Sequence, residues 1–373
     1  MNLEERKIMN KYKVCVYAIC KDEEKFVERW VNSMKEADEI YVLDTGSTDN
    51  TVKELRKRNV NVEVKKIEPW RFDVARNKSL ELVPLDTDIC VCTDLDEVFE
   101  KGWRNKLENA WNIKTTRARY NYNWSFDENG KPAVNFYIEK IHDRNNYKWT
   151  HPVHEVLTYI GNENESFITF DNITLNHYPD RMKSRGSYLP LLELSVKEDP
   201  SDDRNMHYLG REYMYYGKWN ECIDTLIKHL NLPKATWKDE RAASMRFIAR
   251  SYKNLGRFEE AKMWLNKAIE EAPYLRDAYV ERALLEYQLG NYIEVEKYCH
   301  DALRITSHQK TYINEVFSWD YTIYDLLSIS LFYQNRLKES LIYSDMAITM
   351  NPKDDRLIKN NEIIRNQILV MSK

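Results

Sequence analysis

A chain of 373 residues with 43% hydrophobic content is long enough for two or three domains, each with a core of its own. Its 56 basic and 60 acidic residues leave a formal net charge of −4, which excludes a general nucleic-acid binder, because phosphate contacts need a basic surplus. No apolar run approaches the roughly 20 residues that span a bilayer, and the opening Met1-Asn2-Leu3-Glu4-Glu5-Arg6-Lys7 mixes charges, so the expectation is a soluble cytoplasmic protein.

The six cysteines contain no C-x-x-C pair. Four of them sit in apolar strand-like runs, which predicts reduced core residues rather than a disulfide framework or a zinc site. In chain order, Val14 to Ile19 is a near-continuous apolar run rich in β-formers, as in a central strand buried on both faces. After the polar Lys21-Asp22-Glu23-Glu24, the residues Phe26, Val27, Trp30, Val31 and Met34 recur at helical spacing. Ile40 to Leu43 repeats the strand pattern and empties into Asp44-Thr45-Gly46-Ser47-Thr48-Asp49-Asn50-Thr51, where Gly46 permits a tight turn and Thr51 with Glu54 forms the sequence of a capping box. Val60 to Val64 alternates as a third strand, and Phe72 to Asn77 opens a helix running through Leu80 and Leu82.

Asp88 to Glu97 is the stretch around which this half is organised. Ile89 to Cys92 reads as a buried strand, and at its exit Asp94 and Asp96 alternate with Leu95. In an extended backbone both carboxylates point to one side, where repulsion between them favours a divalent cation such as magnesium or manganese able to grip a diphosphate. Strands alternating with helices predict a parallel α/β sheet with ligands at the carboxyl ends of its strands, so that Asp22, Asp44 and Asp94 share one rim. Arg76 is placed to offset phosphate charge there, its plain alternative being a surface helix arginine. A nucleotidyltransferase would also use acidic metal ligands, but it would carry a glycine-rich, basic loop after the first strand, where this chain has Cys20-Lys21-Asp22-Glu23-Glu24.

The first strand with Lys21-Asp22-Glu23-Glu24, the loop Val42 to Asp49, the segment Phe72 to Asn77 and the motif Asp94-Leu95-Asp96-Glu97, in this order, resemble the family 2 inverting glycosyltransferases of the GT-A fold. The resemblance covers the first 200 residues or so and implies a Rossmann-like nucleotide-sugar-binding domain over 1–200. It implies that Asp44 holds the base or ribose of a nucleotide-sugar, most readily a UDP-sugar, that Arg76 lies near the nucleotide, that Asp94 touches ribose or metal, and that Asp96 ligates the metal. Asp22 stands where an asparagine is usual and Thr45 where many members carry a second aspartate, and the Asp-Thr-Gly-Ser-Thr-Asp variant is familiar from a bacterial branch with C-terminal helical repeats. His177, after the strand-like Ile173 to Asn176, resembles that branch's third metal ligand.

Within Tyr147 to Leu157, His151, His154 and Glu155 invite comparison with a zinc protease, yet Pro152 breaks the helix that chemistry needs and the residue order is wrong. The resemblance instead makes this the acceptor side, with Glu155 as general base and His154 orienting it; read alone, Glu155 is a helix-start carboxylate. Trp124 and Trp149 are candidates to stack on a sugar, or plain packing.

After Asp199 to Asp203 the pattern becomes helical throughout, marking a second domain over 201–373. Ala249, Tyr252, Gly256, Phe258, Ala261, Ala268 and Pro273 fit the 34-residue tetratricopeptide pattern, and Gly290 follows Gly256 by one such period. Looser repeats surround Gly217 and Asn335, the latter suggesting a capping repeat, while Thr311-Tyr312-Ile313 fits nowhere except as a helix extension. Stacked repeats present a concave surface to a peptide or protein. The expected function is a metal-dependent inverting glycosyltransferase acting on a peptide, protein or surface-glycan acceptor, with a homodimer through the repeats as one arrangement. The alternative is a catalytically inactive repeat scaffold.

Overall fold

The computed structural model describes residues 11–127, 129–180, 186, 188–308 and 311–371, so the Met1 to Lys7 segment read above for localisation lies outside them. The chain divides into two compact units, Met1–Ser195 and Val196–Lys373.

The first unit is built on the strands β1 (Val14–Cys20), β2 (Glu39–Asp44), β3 (Asn61–Val64), β4 (Ile89–Cys92), β5 (Glu97–Phe99), β6 (Arg117–Phe126), β7 (Pro132–Asp143), β8 (Tyr147–Thr150), β9 (Val156–Tyr159) and β10 (Phe167–His177). Eight of them form one sheet in the order β3-β2-β1-β4-β7-β6-β10-β5, and β8 with β9 forms a separate hairpin. Every residue of β1 is buried, as its unbroken apolar run requires of a strand flanked on both sides. The parallel sheet expected from the sequence holds for β3, β2, β1 and β4, and parallel pairing returns between β6 and β10, but the sheet as a whole is mixed. Beyond them β4 meets β7, and β7 meets β6, antiparallel. The reason is local: Asp127 N–H donates to Lys131 O at 2.8 Å, closing β6 and β7 into a hairpin, and a tight hairpin allows only antiparallel pairing.

Alternation along β1 sorts the core into two faces. Val14, Val16 and Ala18 pack against Phe26, Val27, Trp30, Val31 and Met34 of helix α1 (Glu24–Met34), all five at the expected spacing. Cys15 and Tyr17 face the other way, toward Leu80, Trp149 and Leu157. All six cysteines are free and buried, and burial drives the thiols of Cys15 and Cys92 up to about 11.

One local expectation fails. Helix α2 (Thr51–Lys57) has Asn50 at its N-cap and no side-chain cap, because Glu54 turns to Arg58 one turn on, and Thr51 Oγ1 bonds Asp49 and accepts from Glu23 N–H. The capping-box residues serve an ion pair and a loop staple instead. Helix α3 (Phe72–Glu81) joins the β8–β9 hairpin on the Tyr17 face. Helix α4 (Trp103–Ala110) adds Trp103 and Leu107 to the Val16 face, and α5 (Tyr188–Glu198) carries the chain across the boundary between the units.

The second unit is a run of helical hairpins: α6 (Asp203–Tyr215) with α7 (Trp219–Leu230), α8 (Lys238–Asn254) with α9 (Phe258–Glu271), α10 (Arg276–Gln288) with α11 (Tyr292–Arg304), and α12 (Thr322–Tyr333) with α13 (Leu337–Met350). Gly217, Gly256, Gly290 and Asn335 occupy the turns of these four hairpins with φ of 70°, 72°, 75° and 61°. Left-handed backbone there explains why three are glycine and the fourth asparagine. Helix α14 (Asp355–Met371) then packs on α13. Thr311 to Ile313 lengthens no helix. Ile313 is buried in the cluster of Met214, Leu226 and Phe247, and Tyr312 donates its hydroxyl to Glu240. Among the described residues no helix is long and apolar enough to cross a membrane.

Small residues set how closely these helices approach. A Cβ on Gly210 would collide with Cδ2 and Cγ of Leu226, itself fully buried. Alanine would gain up to about 1 kcal/mol of helix propensity but overpack this crossing by about 1–3 kcal/mol. Gly210→Ala is therefore expected to lower stability by about 1–2 kcal/mol net, seen as a lower urea midpoint.

Candidate active site

The carboxyl ends of the parallel strands β1, β2 and β4 lie on one edge of the sheet and carry the loops that begin at Lys21, Thr45 and Thr93. Two of these loops are stapled together. Asp22, with φ of 54°, accepts Thr48 N–H at 2.7 Å and gives its own N–H to Ser47 Oγ at 2.8 Å. Left-handed backbone is tolerated there by short polar residues, Asp as well as Asn. Asp44 is fully buried: its Oδ1 accepts Gly46 and Ser47 N–H at 3.0 and 2.9 Å, while Oδ2 faces Ser47 Oγ and Cys20 Sγ. Its carboxylate thus fixes the shape of the loop, with Gly46 at φ of 111° completing the turn.

At β4 the two acids do not lie in extended chain. Glu97 N–H donates to Asp94 O at 3.0 Å, closing a turn over Leu95 and Asp96, with Leu95 buried at its base. The turn sends the two carboxylates to different partners. Asp94 receives Arg76 Nη2 at 2.8 and 3.1 Å and Lys140 Nζ at 3.2 Å. Asp96 Oδ2 lies 3.3 Å from His177 Nε2, and His177 Nδ1 is 3.0 Å from Trp124 O. Trp124 O accepts Nδ1–H and Asp96 accepts from Nε2; burial works against the imidazolium, but the Asp96 hydrogen bond and charge outweigh it and raise the pKa of the ring. Asp94, Asp96 and His177 do not converge as a group of three; the Asp96–His177 pair alone is preassembled.

Arg76 is no surface residue. Its side chain is 5% exposed, with Nε 2.7 Å from Glu155 Oε1, Nη1 3.5 Å from Cys92 Sγ, and the guanidinium 5.3 Å over the Trp149 ring. Burial works against its charge, yet Asp94, Cys92 and Glu155 together hold its pKa raised. Asp94 shows the converse: burial pushes it up, and Arg76 with Lys140 outweighs that and holds it well below the usual carboxylate range. Glu97, 1% exposed, goes the other way, raised by burial and by the charges of Asp94 and Asp96 against the pull of Lys140. It accepts Tyr122 OH at 2.8 Å and Lys140 Nζ at 3.3 Å on Oε1, and Asp94 N–H at 2.8 Å on Oε2.

Glu155 starts no helix; it ends the loop between β8 and β9. That loop is held from α3, where the Asn77 amide bonds both N–H and C=O of Trp149 and Phe72 N–H donates to Pro152 O at 2.9 Å. His151 and His154, at φ of 74° and 51°, bend it sharply. The His154 ring lies 5.7 Å edge-on to Tyr188. Glu155 keeps Oε1 on Arg76, and among the described residues nothing engages Oε2. Trp149 is buried and donates its indole N–H to Tyr17, so it packs; Trp124 is half-exposed 6.3 Å from the His177 ring. Lys140, Glu97 and Tyr122 were missed from sequence, since a lysine or glutamate in a strand gives no sign of facing inward.

The chain can be compared with known proteins on this footing. The family model Glycosyl transferase family 2 matches residues 15–170, and a tetratricopeptide repeat model matches 247–274. The SPbeta prophage-derived glycosyltransferase SunS of Bacillus subtilis (strain 168) is 27% identical over 226 residues, 56% of this chain and 51% of that protein, and the glycosyltransferase SunS of Bacillus phage SPbeta matches equally. The chain spans about half the length of these curated relatives. Among solved structures, that of MamA protein is similar at 17% identity and a TM-score of 0.36 over 46% of this chain and 85% of that one. TTC0263, a thermophilic TPR protein of Thermus thermophilus, gives 21% identity and 0.33 over 47% and 88%. Residues 15–170 thus form a family 2 glycosyltransferase domain, followed by a helical solenoid with tetratricopeptide repeats.

Proposed function

We propose that this chain is a metal-dependent inverting glycosyltransferase that moves a sugar from a nucleotide-sugar, a UDP-sugar in the first instance, to a peptide, protein or surface-glycan acceptor. The observation that supports it most is the pairing of two ion clusters at one sheet edge: Asp96 with His177, and Arg76 joining Asp94 to Glu155. In this reading residues 1–200 are catalytic and 201–373 dock the acceptor or a second copy, in the cytoplasm.

The oxygen and imidazole donors of Asp96 and His177 suit manganese or magnesium. Bound there with the donor's phosphate oxygens, the ion would neutralise charge on the departing diphosphate. Asp94, steadied by Arg76 and Lys140, faces the ribose side, and Arg76 supplies fixed positive charge close by. Asp44 and Asp22 serve base recognition through the loop they hold. Inverting transfer is a direct displacement: the acceptor oxygen or sulfur bonds to the anomeric carbon as the bond to the diphosphate breaks. The acceptor proton must leave in that step, and Glu155 Oε2 takes it while Arg76 pins Oε1.

Calorimetric titration with UDP, GDP and CDP, with manganese and then with a chelator, tests the reading. Binding of UDP that requires metal and vanishes in Asp96→Ala, with thermal unfolding little changed, is the expected result. If none of the diphosphates binds the folded chain, the repeat scaffold without catalysis replaces it. Binding by Asp96→Ala equal to the wild type removes the metal assignment alone.

A further inference from the structure

Away from the sheet edge, within the helical unit, His207 on α6, His229 in the last turn of α7 and Glu240 in the first turn of α8 meet in the interior. The two histidines are fully buried and Glu240 is 4% exposed. Each offers a donor atom within 4.8 Å of the other two, and this is the one such group of metal-binding side chains among the described residues. Buried imidazoles and a buried carboxylate need hydrogen bonds, a counter-charge or a metal to offset their lost hydration.

Ser244 shows which atoms are committed. It lies one turn after Glu240 on α8, and its hydroxyl is 2.7 Å from His207 Nδ1 and 3.0 Å from His229 Nδ1. A serine oxygen has two lone pairs, so both imidazoles can donate Nδ1–H to it while its own proton turns elsewhere. Both Nε2 lone pairs are then bare. This matches what surrounds them: neither His207 Nε2 nor His229 Nε2, each buried, has a hydrogen-bond partner. His229 Nε2 lies 3.4 Å from Glu240 Oε1, close enough for two ligands of one ion but not aligned as a hydrogen bond. Tyr312 donates to the second oxygen of Glu240 and so orients the carboxylate from outside, as Ser244 orients the rings.

We propose that His207, His229 and Glu240 form a buried site for a divalent transition metal, zinc foremost, that ties the first three helices of the solenoid together. Two neutral imidazoles and a carboxylate are a zinc donor set, and they leave a fourth position to a water molecule. Magnesium, which prefers oxygen ligands and keeps its waters, is a poor match for the same cluster. Ligation would satisfy both orphaned nitrogens at once.

The test is metal content. The full-length Asp96→Ala chain, which lacks the candidate nucleotide-metal site, is produced in zinc-supplemented medium, exposed to a chelator at neutral pH, desalted and measured by elemental mass spectrometry. About one zinc per chain should survive, because a buried structural ion exchanges slowly. His207→Gln and Glu240→Gln, with helicity checked by circular dichroism, should each retain at least tenfold less. Cobalt loaded during refolding should give the visible absorption of a four-coordinate nitrogen and oxygen site, which keeps the test decisive if a variant fails to fold. Absence of retained zinc together with no such cobalt band would overturn the proposal, as would equal zinc in the folded variants.

Discussion

Arg76→Met is expected to cost about 3–5 kcal/mol of folding stability, since removing one partner of a buried ion cluster strands the others. The guanidinium is 5% exposed and Glu155 13%, so water cannot replace what is lost. Asp94, 34% exposed and also held by Lys140, suffers less than Glu155 does. Urea denaturation should show a large fall in midpoint at constant slope. Arg257→Met, removing the partner of Glu260 in a pair 51% and 38% exposed, should stay within about 0.5 kcal/mol. The double variant Arg76→Met/Glu155→Met should recover much of the loss, because deleting both partners leaves no buried charge unpaired. If Arg76→Met alone were neutral, the cluster would contribute nothing to the fold, and function alone would account for its residues.

How legible this was from sequence depends on the range of the signal. The strands β1, β2 and β4 were readable because a buried strand is an apolar run, a property of adjacent residues. The hairpin turns were readable for the same reason, since left-handed backbone selects glycine or asparagine on the spot. Arg76 was named but its setting was not, because its partners Asp94 and Glu155 lie 18 and 79 positions away and nothing local separates a buried arginine from an exposed one. Lys140 was invisible on the same grounds.

The acid pair marks the boundary between the two cases. Alternation of Asp94 and Asp96 about Leu95 is a strand pattern, and it suggested carboxylates side by side. A four-residue turn closed by Glu97 N–H carries the same letters and sends them apart, one to Arg76 and Lys140, the other to His177. The buried His207, His229 and Glu240 escaped for a further reason: they come from three helices whose sequence periods explain each residue separately as part of a packed face.

Glu155→Gln should reduce sugar transfer by about 10²–10⁴-fold while leaving nucleotide binding intact. Glutamine keeps a carbonyl oxygen for Arg76 Nε, so the loop between β8 and β9, fastened independently through Asn77 and Pro152, has no cause to move. In the proposed mechanism, what disappears is the group at Oε2 that takes the acceptor's proton during displacement. The effect should therefore fall on kcat, with the KM for the donor and the calorimetric affinity for UDP close to wild type. That split separates a base from a positioning residue, whose loss would disturb Arg76 and Asp94 and weaken nucleotide binding as well. Transfer at the wild-type rate would move the base to another carboxylate at the same sheet edge.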